Sequence, residues 1–311
     1  AYRPQPISNN NIFIYEMSSM WMEDIIYPDV NDYIDHHWTD DFFNNPDLNI
    51  DTHPQIGYSF GLYLHYLVNK IENNPDEQST IIREIWEEHE TNSVAWSSIN
   101  DILNNNYSTN FSESWVGFCS RNLFNGLYLD MNNDFYYHED QLDAEPIIFN
   151  EISNLDESIN DFILGQKKVR FLAYEPSFNM FINISEIESS PSEADIIGNF
   201  ILESNDLFNQ EIIDIYDFEF LQITDIDKIY LILGTSEDAI IDFNLNINFE
   251  YEYGDINQNN IINVVDIIAV VNYIFNSANL DEFQLMLADM NFDGFINVND
   301  IMAIVNIIID S

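Results

Sequence analysis

The chain has 311 residues, and its 8 Lys plus Arg stand against 55 Asp plus Glu, which gives a formal net charge of −47 at pH 7. A field of this sign repels nucleic-acid phosphates and anionic membrane surfaces and attracts cations, which argues against nucleic acid as a partner. A hydrophobic fraction of 46% suffices for substantial cores, and the length predicts two or three domains.

Two features that the sequence lacks further narrow the class of protein to which it can belong. Cys119 is the single cysteine, so no intrachain disulfide can form, and its apolar surroundings predict a buried, inert thiol. No apolar run reaches the roughly 18 residues of a membrane span, and no signal peptide is recognisable. The chain starts at Ala1 without Met, which we interpret as an interior or processed start.

Residues 12 to about 126 predict a helical lobe of about five helices. The stretch "QIGYSFGLYLHYLVNKIENN" carries the apolar stripe of a core-facing helix. Three further helical stretches follow it. Ser79, Ser93 and Ser112 are the predicted N-caps of these helices, and Gly126 is the predicted C-terminal stop.

From about Glu145 the apolar period changes from helical to alternating. "IDFNLNINFEYEY" alternates strictly between apolar and polar residues, which predicts a half-buried strand. Five further strand candidates are "KKVRFLAYE", "FNMFINIS", "IIGNFILES", "IIDIYDFEFLQI" and "DKIYLILG". Their spacing predicts a β-sandwich over residues 145–252.

The last 58 residues contain an internal repeat, because "GDINQNNIINVVDIIAVVNYIF" aligns with "ADMNFDGFINVNDIMAIVNIII" at an offset of 34 residues. Each unit presents oxygen-bearing side chains at positions 1, 3, 5, 9 and 12 of a 12-residue loop, the pattern by which a curling loop surrounds calcium. In the first loop these are Asp255, Asn257, Asn259, Asn263 and Asp266, and in the second Asp289, Asn291, Asp293, Asn297 and Asp300. Metal sites thus join a high-salt habitat and simple solubility as explanations of the acidity.

The other loop positions fit the same interpretation. Position 7 supplies its backbone carbonyl, here from Ile261 and Phe295. Position 6 needs a positive φ, which Gly294 meets directly and Asn260 meets next best. The apolar residue at position 8 of each loop is expected to point into the core.

A helix is expected to follow each loop but not to precede it, and position 12 is Asp where an EF-hand has Glu. A duplicated loop and helix of this kind, from Gly254 to Ser311, resembles the type I dockerin. The resemblance implies two calcium ions, a secreted or cell-surface location and a cohesin-type domain or surface scaffold as partner. It places the partner-binding face at loop positions 10 and 11 and along the helix that follows. Those loop positions are Val264, Val265, Val298 and Asn299, where the family often has Ser or Thr.

The N-terminal stretch "YEMSSMWMED" places Glu16, Ser19, Trp21 and Glu23 in a pattern of Glu, small residue, aromatic residue and Glu. It resembles the third-ligand helix of gluzincin metallopeptidases. With "IIREIWEEH", residues 1–140 resemble a family of secreted bacterial metalloproteases. The resemblance implies that Glu16 is a zinc ligand, and the alternative for Glu16 is an acid at a helix start that the dipole favours. Glu23 is a candidate to orient a zinc-ligating group, with a solvent-facing or helix-pairing role as the alternative.

Zinc hydrolysis of this type also needs two His one helical turn apart with a Glu general base between them. None of the six histidines forms HExxH; they are His36, His37, His53, His65, His89 and His138. We therefore expect a truncated chain that is inactive alone, with no catalytic residue of its own and Zn²⁺ bound only in a longer parent protein that cleaves peptides. A degenerate homologue is the alternative explanation.

The predicted fold is multidomain α + β. It comprises a zincin-like helical half-domain over residues 1–140, a β-sandwich over 145–252 and a dockerin-like pair of calcium loop-helix repeats over 254–311. The first functional hypothesis is a fragment of a secreted zinc metallopeptidase with a docking tail. The second is a non-catalytic adhesion or scaffold-docking protein, and the third is a component associated with glycoside hydrolysis, since paired carboxylates depend on spatial separation.

Overall fold

The structure is a computed structural model, and it describes most of the helical and C-terminal parts of the chain with shorter stretches between them. The described residues are 11–29, 42, 56–74, 79–124, 150–151, 162–164, 169–176, 180–190, 196–204, 207–208, 212–215, 221–223, 226–235, 241–249, 252–259, 261–277 and 279–310. The chain divides into two compact units. The first comprises Ala1–Glu175, Glu186–Phe218 and Asp227–Asn246, and the second comprises Pro176–Ser185, Glu219–Ile226 and Ile247–Ser311.

Helices form the N-terminal part of the first unit, as the apolar periodicity predicts. They are α1 (Ile12–Ile26), α2 (Ile56–Ser59), α3 (Gly61–Tyr66), a π-helical turn (Leu67–Ile71), α4 (Thr80–Thr91), α5 (Ala95–Asn106) and α6 (Phe111–Arg121). Among the described residues, no helix is both long and apolar enough to cross a bilayer.

Of the three predicted N-caps, the structure confirms one and contradicts two. The Ser79 hydroxyl caps α4 by accepting a hydrogen bond from the Ile82 amide at 3.1 Å. The N-cap of α5 is Val94 rather than Ser93, and the N-cap of α6 is Asn110 rather than Ser112. Asn110 prevails because it forms a capping box with Glu113, whereas Ser112 donates to the carbonyl of Thr235. Gly126 lies outside the described residues.

Two glycines allow α1 to lie close against α2 and α3. A Cβ added at Gly57 would lie 2.7 Å from the Glu16 Cβ, and one added at Gly61 would lie 2.9 Å from the Met20 Cβ. Both separations are shorter than real Cβ contacts allow, so the helices approach at these positions because no side chain intervenes.

A single hydrophobic core joins these helices to a sheet. The rings of Tyr63, Trp115 and Phe118 pack edge-on or tilted with centroids 5.0–5.4 Å apart. The sheet contributes buried residues to the same core, namely Val169, Phe171, Ala173, Ile201, Tyr230 and Ile232. Helix α6 therefore packs on the sheet, and the helical lobe and the sheet share one core.

Strands of the middle region form two sheets. The strands are β1 (Asn150–Glu151), β2 (Phe162–Leu164), β3 (Val169–Tyr174), β4 (Met180–Ser190), β5 (Ile196–Ser204), β6 (Leu207–Phe208), β7 (Ile213–Asp214), β8 (Leu221–Ile223), β9 (Lys228–Thr235) and β10 (Ile241–Phe249). The first sheet has the order β1-β3-β9-β5-β6 with β7 also on β5, and the second has the order β2-β10-β4-β8. Strand β9 is antiparallel to both neighbours, with Ile232 opposite Phe171 and Asn199.

The strand predictions hold best where the sheet is central. β5 coincides with "IIGNFILES", and β10 with the first nine residues of the alternating stretch. The pattern of "IIDIYDFEFLQI" predicts one strand, whereas its described residues form the two short strands β7 and β8. The fold is thus mixed helix and sheet; the sandwich, the zincin-like half and the predicted domain boundaries stay predictions.

The C-terminal part of the second unit contains three helices, α7 (Val264–Ile274), α8 (Glu282–Ala288) and α9 (Val298–Asp310). Its small core comprises Ile256, Val270, Ala288 and Ile304, each fully buried. Ile262 and Ile296, at position 8 of the loops, pack against this core as predicted. The expectation that no helix precedes either loop is wrong for the second loop. Helix α8 begins at a capping box formed by Asp281 and Gln284 and ends at Ala288, directly before Asp289.

Candidate calcium and docking site

The two candidate loops span residues 255–266 and 289–300, and each is closed by the carboxylate at position 12. Asp266 and Asp300 are both fully buried. Asp266 accepts hydrogen bonds from the amides of Asn257 at 3.1 Å and Asn263 at 2.9 Å. Asp300 accepts from the amides of Met290 at 2.9 Å and Asn297 at 2.8 Å. Each position-12 side chain therefore holds the beginning of its loop next to the end.

Positions 1 and 5 repeat their hydrogen bonds between the loops. Asp255 and Asp289 each accept from the position-5 amide at 3.1 Å. Asn259 and Asp293 in turn accept from the position-7 amide, at 3.0 and 2.8 Å respectively. These side-chain oxygens thus bond to the backbone of their own loop, and their role as calcium ligands stays a prediction.

Position 3 supplies the clearest sign of a missing partner group. Asn257 Oδ1 is buried and accepts no hydrogen bond within the described part of the chain. An unsatisfied buried acceptor costs about 1–3 kcal/mol, so such atoms are expected to have a partner. In the second loop Asn291 instead donates to Asp293 Oδ2 at 3.0 Å and accepts from the Asp293 amide.

The donor chemistry of the loops fits a hard cation. Residues 254–311 contain no Lys, Arg or His, so no side chain of this segment balances its buried carboxylates. Among the described residues, no group of three or more His, Cys, Asp or Glu side chains lies close enough together to hold a metal ion. A cation bound in either loop would therefore need amide and backbone oxygens besides the carboxylates, a ligand set that suits calcium rather than zinc.

Position 9 has a second role that the sequence pattern did not indicate. Asn263 Oδ1 accepts from the Val265 amide at 2.8 Å, and Asn297 Oδ1 accepts from the Asn299 amide at 2.9 Å. Asn263 is the N-cap of α7. Because position 9 often reaches calcium through water, its predicted ligand role and this capping role are compatible.

The backbone has a positive φ at position 4 of the loops as well as at the predicted position 6. Gly294 at position 6 has a φ of +78°, as predicted, whereas Asn260 lies outside the described residues. Gln258 and Phe292, both at position 4, have the same left-handed φ of +57°. Neither residue type favours this conformation, so residue identity gave no indication of it.

The predicted partner-binding residues lie on exposed surface at the start of α7 and α9. Val264, Val265, Val298 and Asn299 are all exposed. Ile268 and Met302, one helical turn further along and related by the same offset of 34 residues, are exposed as well. The resemblance implies a partner face along this helix but does not name the pair, which the repeat alignment could have identified. Each repeat thus presents an apolar face that continues from its loop into its helix.

The candidate zinc ligand Glu16 lies on α1, where its contact within the described part of the chain is with a tyrosine. Glu16 is partly buried, and the hydrogen bond between its carboxylate and the Tyr58 hydroxyl raises the pKa of Tyr58. Glu23 is also partly buried, near the end of the helix. The zinc role of Glu16 and the orienting role of Glu23 stay predictions.

The two described histidines have other partners. His65 Nε2 lies 3.1 Å from Asp24 Oδ2, with both residues buried, and His89 Nδ1 donates to the Asn92 carbonyl at 3.1 Å. His36, His37, His53 and His138 lie outside the described residues.

Comparison with known proteins supports the C-terminal part alone. Residues 253–309 match the family model described as the Dockerin type I domain. No curated protein matches the chain. A dockerin of this type implies a cohesin partner, typically binds calcium, and suggests a component of a cellulosome-type assembly. Proteins that carry such a domain are typically extracellular or on the cell surface.

Proposed function

We propose that residues 253–309 form a calcium-dependent docking module that attaches the remainder of the chain to a cohesin-type domain outside the cell. The observation that carries this proposal is the duplicated loop, in which the same side-chain bonds recur at positions 1, 5 and 9. A single Asp- and Asn-rich turn is common, whereas two equivalent loops that each lead into an exposed apolar helix face are not.

Two calcium ions would be held, one in each loop. The residues that would hold the first are Asp255, Asn257, Asn259, Ile261, Asn263 and Asp266, and those for the second are Asp289, Asn291, Asp293, Phe295, Asn297 and Asp300. Calcium supplies positive charge and oxygen coordination to a segment that has no cationic side chain. Asn257 Oδ1 gains the partner that it lacks, and Asp266 and Asp300 are neutralised in place.

Calorimetric titration of the full chain with calcium tests this assignment. We expect about two ions per chain. Asp266→Asn and Asp300→Asn should each weaken one of the two sites by about tenfold or more, because each removes a carboxylate from the ligand set. Glu252→Gln is the matched control, since it removes an exposed acid just outside the first loop and should leave both sites unchanged. Absence of calcium uptake, or equal losses in all three variants, would contradict the proposal.

Docking would use the exposed apolar faces of the two repeats, which begin at Val264 and Val265 in one and at Val298 and Asn299 in the other. Exposed apolar side chains that recur at equivalent positions of two repeats are typical of a protein interaction site. The valines stand where the dockerin family often has hydroxyl side chains, so the favoured partner offers an apolar surface rather than hydrogen-bonding groups.

For the N-terminal unit we propose, as a second candidate, the helical part of a zinc peptidase with Glu16 as one ligand. This candidate rests on the resemblance of residues 15–24 to the third-ligand helix of gluzincins; the hydrogen bond between the Tyr58 hydroxyl and the Glu16 carboxylate is compatible with it but does not favour it. A non-catalytic cargo or adhesion unit is the competing assignment, with the polar pair serving only to join α1 to α2. Residues encoded upstream of Ala1 discriminate the two: an HExxH motif there would favour the peptidase, and a natural mature terminus at Ala1 would exclude it.

A further inference from the structure

Each candidate calcium loop exposes a large apolar side chain at position 7, which is not among the positions expected to contact a partner. Phe292, at position 4 of the second loop, is 68% exposed as well, but its ring packs edge-on against Tyr253. Ile261 is 62% exposed and Phe295 is 74% exposed, and both occupy position 7. In the calcium prediction only the backbone carbonyl of this position is used. The exposed side chains therefore have no role in holding the metal.

The backbone of each position-7 residue is held on both sides. The Ile261 amide donates to Asn259 Oδ1, and the Ile261 carbonyl accepts from Asn263 Nδ2 at 2.9 Å. The same two bonds recur at Phe295, with Asp293 and Asn297 as partners. The side chains thus extend from a fixed point of the loop, which lowers the entropy lost when a partner covers them.

The position-9 asparagine connects this point to the docking helix. Asn263 donates to the Ile261 carbonyl and at the same time accepts from the Val265 amide, so positions 7 and 11 are joined through one side chain. Asn297 joins Phe295 to Asn299 in the same way. Position 7 is therefore held beside the first turn of the helix that carries the docking face.

The net charge of the chain indicates which kind of partner can bind this surface. A second copy of the chain would bring another net charge of −47, and the C-terminal segment has no cationic side chain with which to pair it. Self-association through these faces is therefore opposed by like-charge repulsion. A cohesin-type domain with an apolar face and a neutral or basic rim meets both the apolar character and the charge.

We propose that Ile261 and Phe295 contact the cohesin-type partner directly, so that the docking face extends from the helix into the calcium loop. This inference rests on the proposed docking function. Because one residue offers its carbonyl to calcium and its side chain to the partner, the two binding events are linked, and each strengthens the other by the same factor.

The test compares two matched double variants of the full chain with bound calcium, against a panel of recombinant type I cohesin domains by calorimetry. Ile261→Ala/Phe295→Ala removes the side chains in both repeats, since one intact face would mask a single substitution. Phe275→Ala/Ile309→Ala is the control, because these residues are 78% and 74% exposed but lie at the far ends of the repeats.

We expect the position-7 variant to bind about tenfold more weakly to every cohesin that the unaltered chain binds, as for a buried interface anchor. The control variant should stay within about twofold, and both variants should bind calcium as before. Equal cohesin binding by the position-7 variant overturns this inference but leaves the docking function standing, as does a loss of calcium in that variant. Failure of the unaltered, calcium-bound chain to bind any cohesin overturns the proposed function and the inference together.

Discussion

At the scale of single residues, the same asparagine or aspartate serves both the loop and the element that follows it. Asn263 caps α7 while its amide group donates to the loop carbonyl of Ile261, and Asp266 completes the capping box of that helix while closing the loop. A substitution here therefore changes a candidate metal site and a helix start together. The backbone-held residues Ile261 and Phe295 are better probes of docking, because their side chains can be removed without touching either.

A residue-scale prediction concerns His89, in the last turn of α4, whose ring packs edge-on against Tyr15 and Trp86. Burial lowers the pKa of His89 below its usual 6.5, and the hydrogen bond to the Asn92 carbonyl opposes this only in part. The unfolded chain therefore takes up this proton first, so the contribution of the neutral ring to stability is complete above pH 6.5 and is lost as the pH falls through the folded pKa. In urea unfolding, His89→Gln should lose less stability between pH 7.5 and 5 than the unaltered chain. Parallel pH dependences would contradict the prediction.

At the scale of elements, the packing of α1 on α2 and α3 depends on the absence of side chains at Gly57 and Gly61. In a free helix Gly→Ala is favourable by about 1 kcal/mol, but here a Cβ at Gly57 would also meet the backbone of Phe13 at 3.0–3.1 Å. We predict that Gly57→Ala lowers the free energy of unfolding by about 1–3 kcal/mol. Ser97→Ala, on the exposed side of α5, is the control and should change it by less than about 0.5 kcal/mol. Unchanged stability in Gly57→Ala would show that the helices can separate without cost.

At the scale of the whole molecule, the two units differ in how their folds are stabilised. The first has an extensive core shared by helices and sheet, whereas the fully buried core of the C-terminal segment is Ile256, Val270, Ala288 and Ile304. So small a core needs a further source of stability, and metal binding to such loops is folding free energy. We predict that a calcium chelator removes amide-exchange protection from residues 254–310 while residues 80–121 keep theirs, as measured by hydrogen exchange. Simultaneous loss of protection in both segments would contradict the prediction that residues 254–310 unfold independently of residues 80–121.

Much of the C-terminal assignment could be made from the sequence because its information is local. Alternating oxygen-bearing side chains within twelve residues, repeated at an offset of 34, specify the turn and the position-8 core residue through contacts between near neighbours. The positive φ of Gln258 and Phe292 could not be predicted, because neither residue type favours that conformation. Helix α8 escaped because its seven residues are too few for a clear apolar period.

By itself, the sequence determined the acidic charge, the duplicated loops, the existence of the main helices and strands, and the absence of HExxH. Only the tertiary structure decided that α6 packs on the first sheet and that Tyr58 reaches Glu16. The reason is that periodicity and capping act between residues a few positions apart. Contacts such as Ser112 with Thr235 join residues over a hundred positions apart and depend on the packing of the whole core.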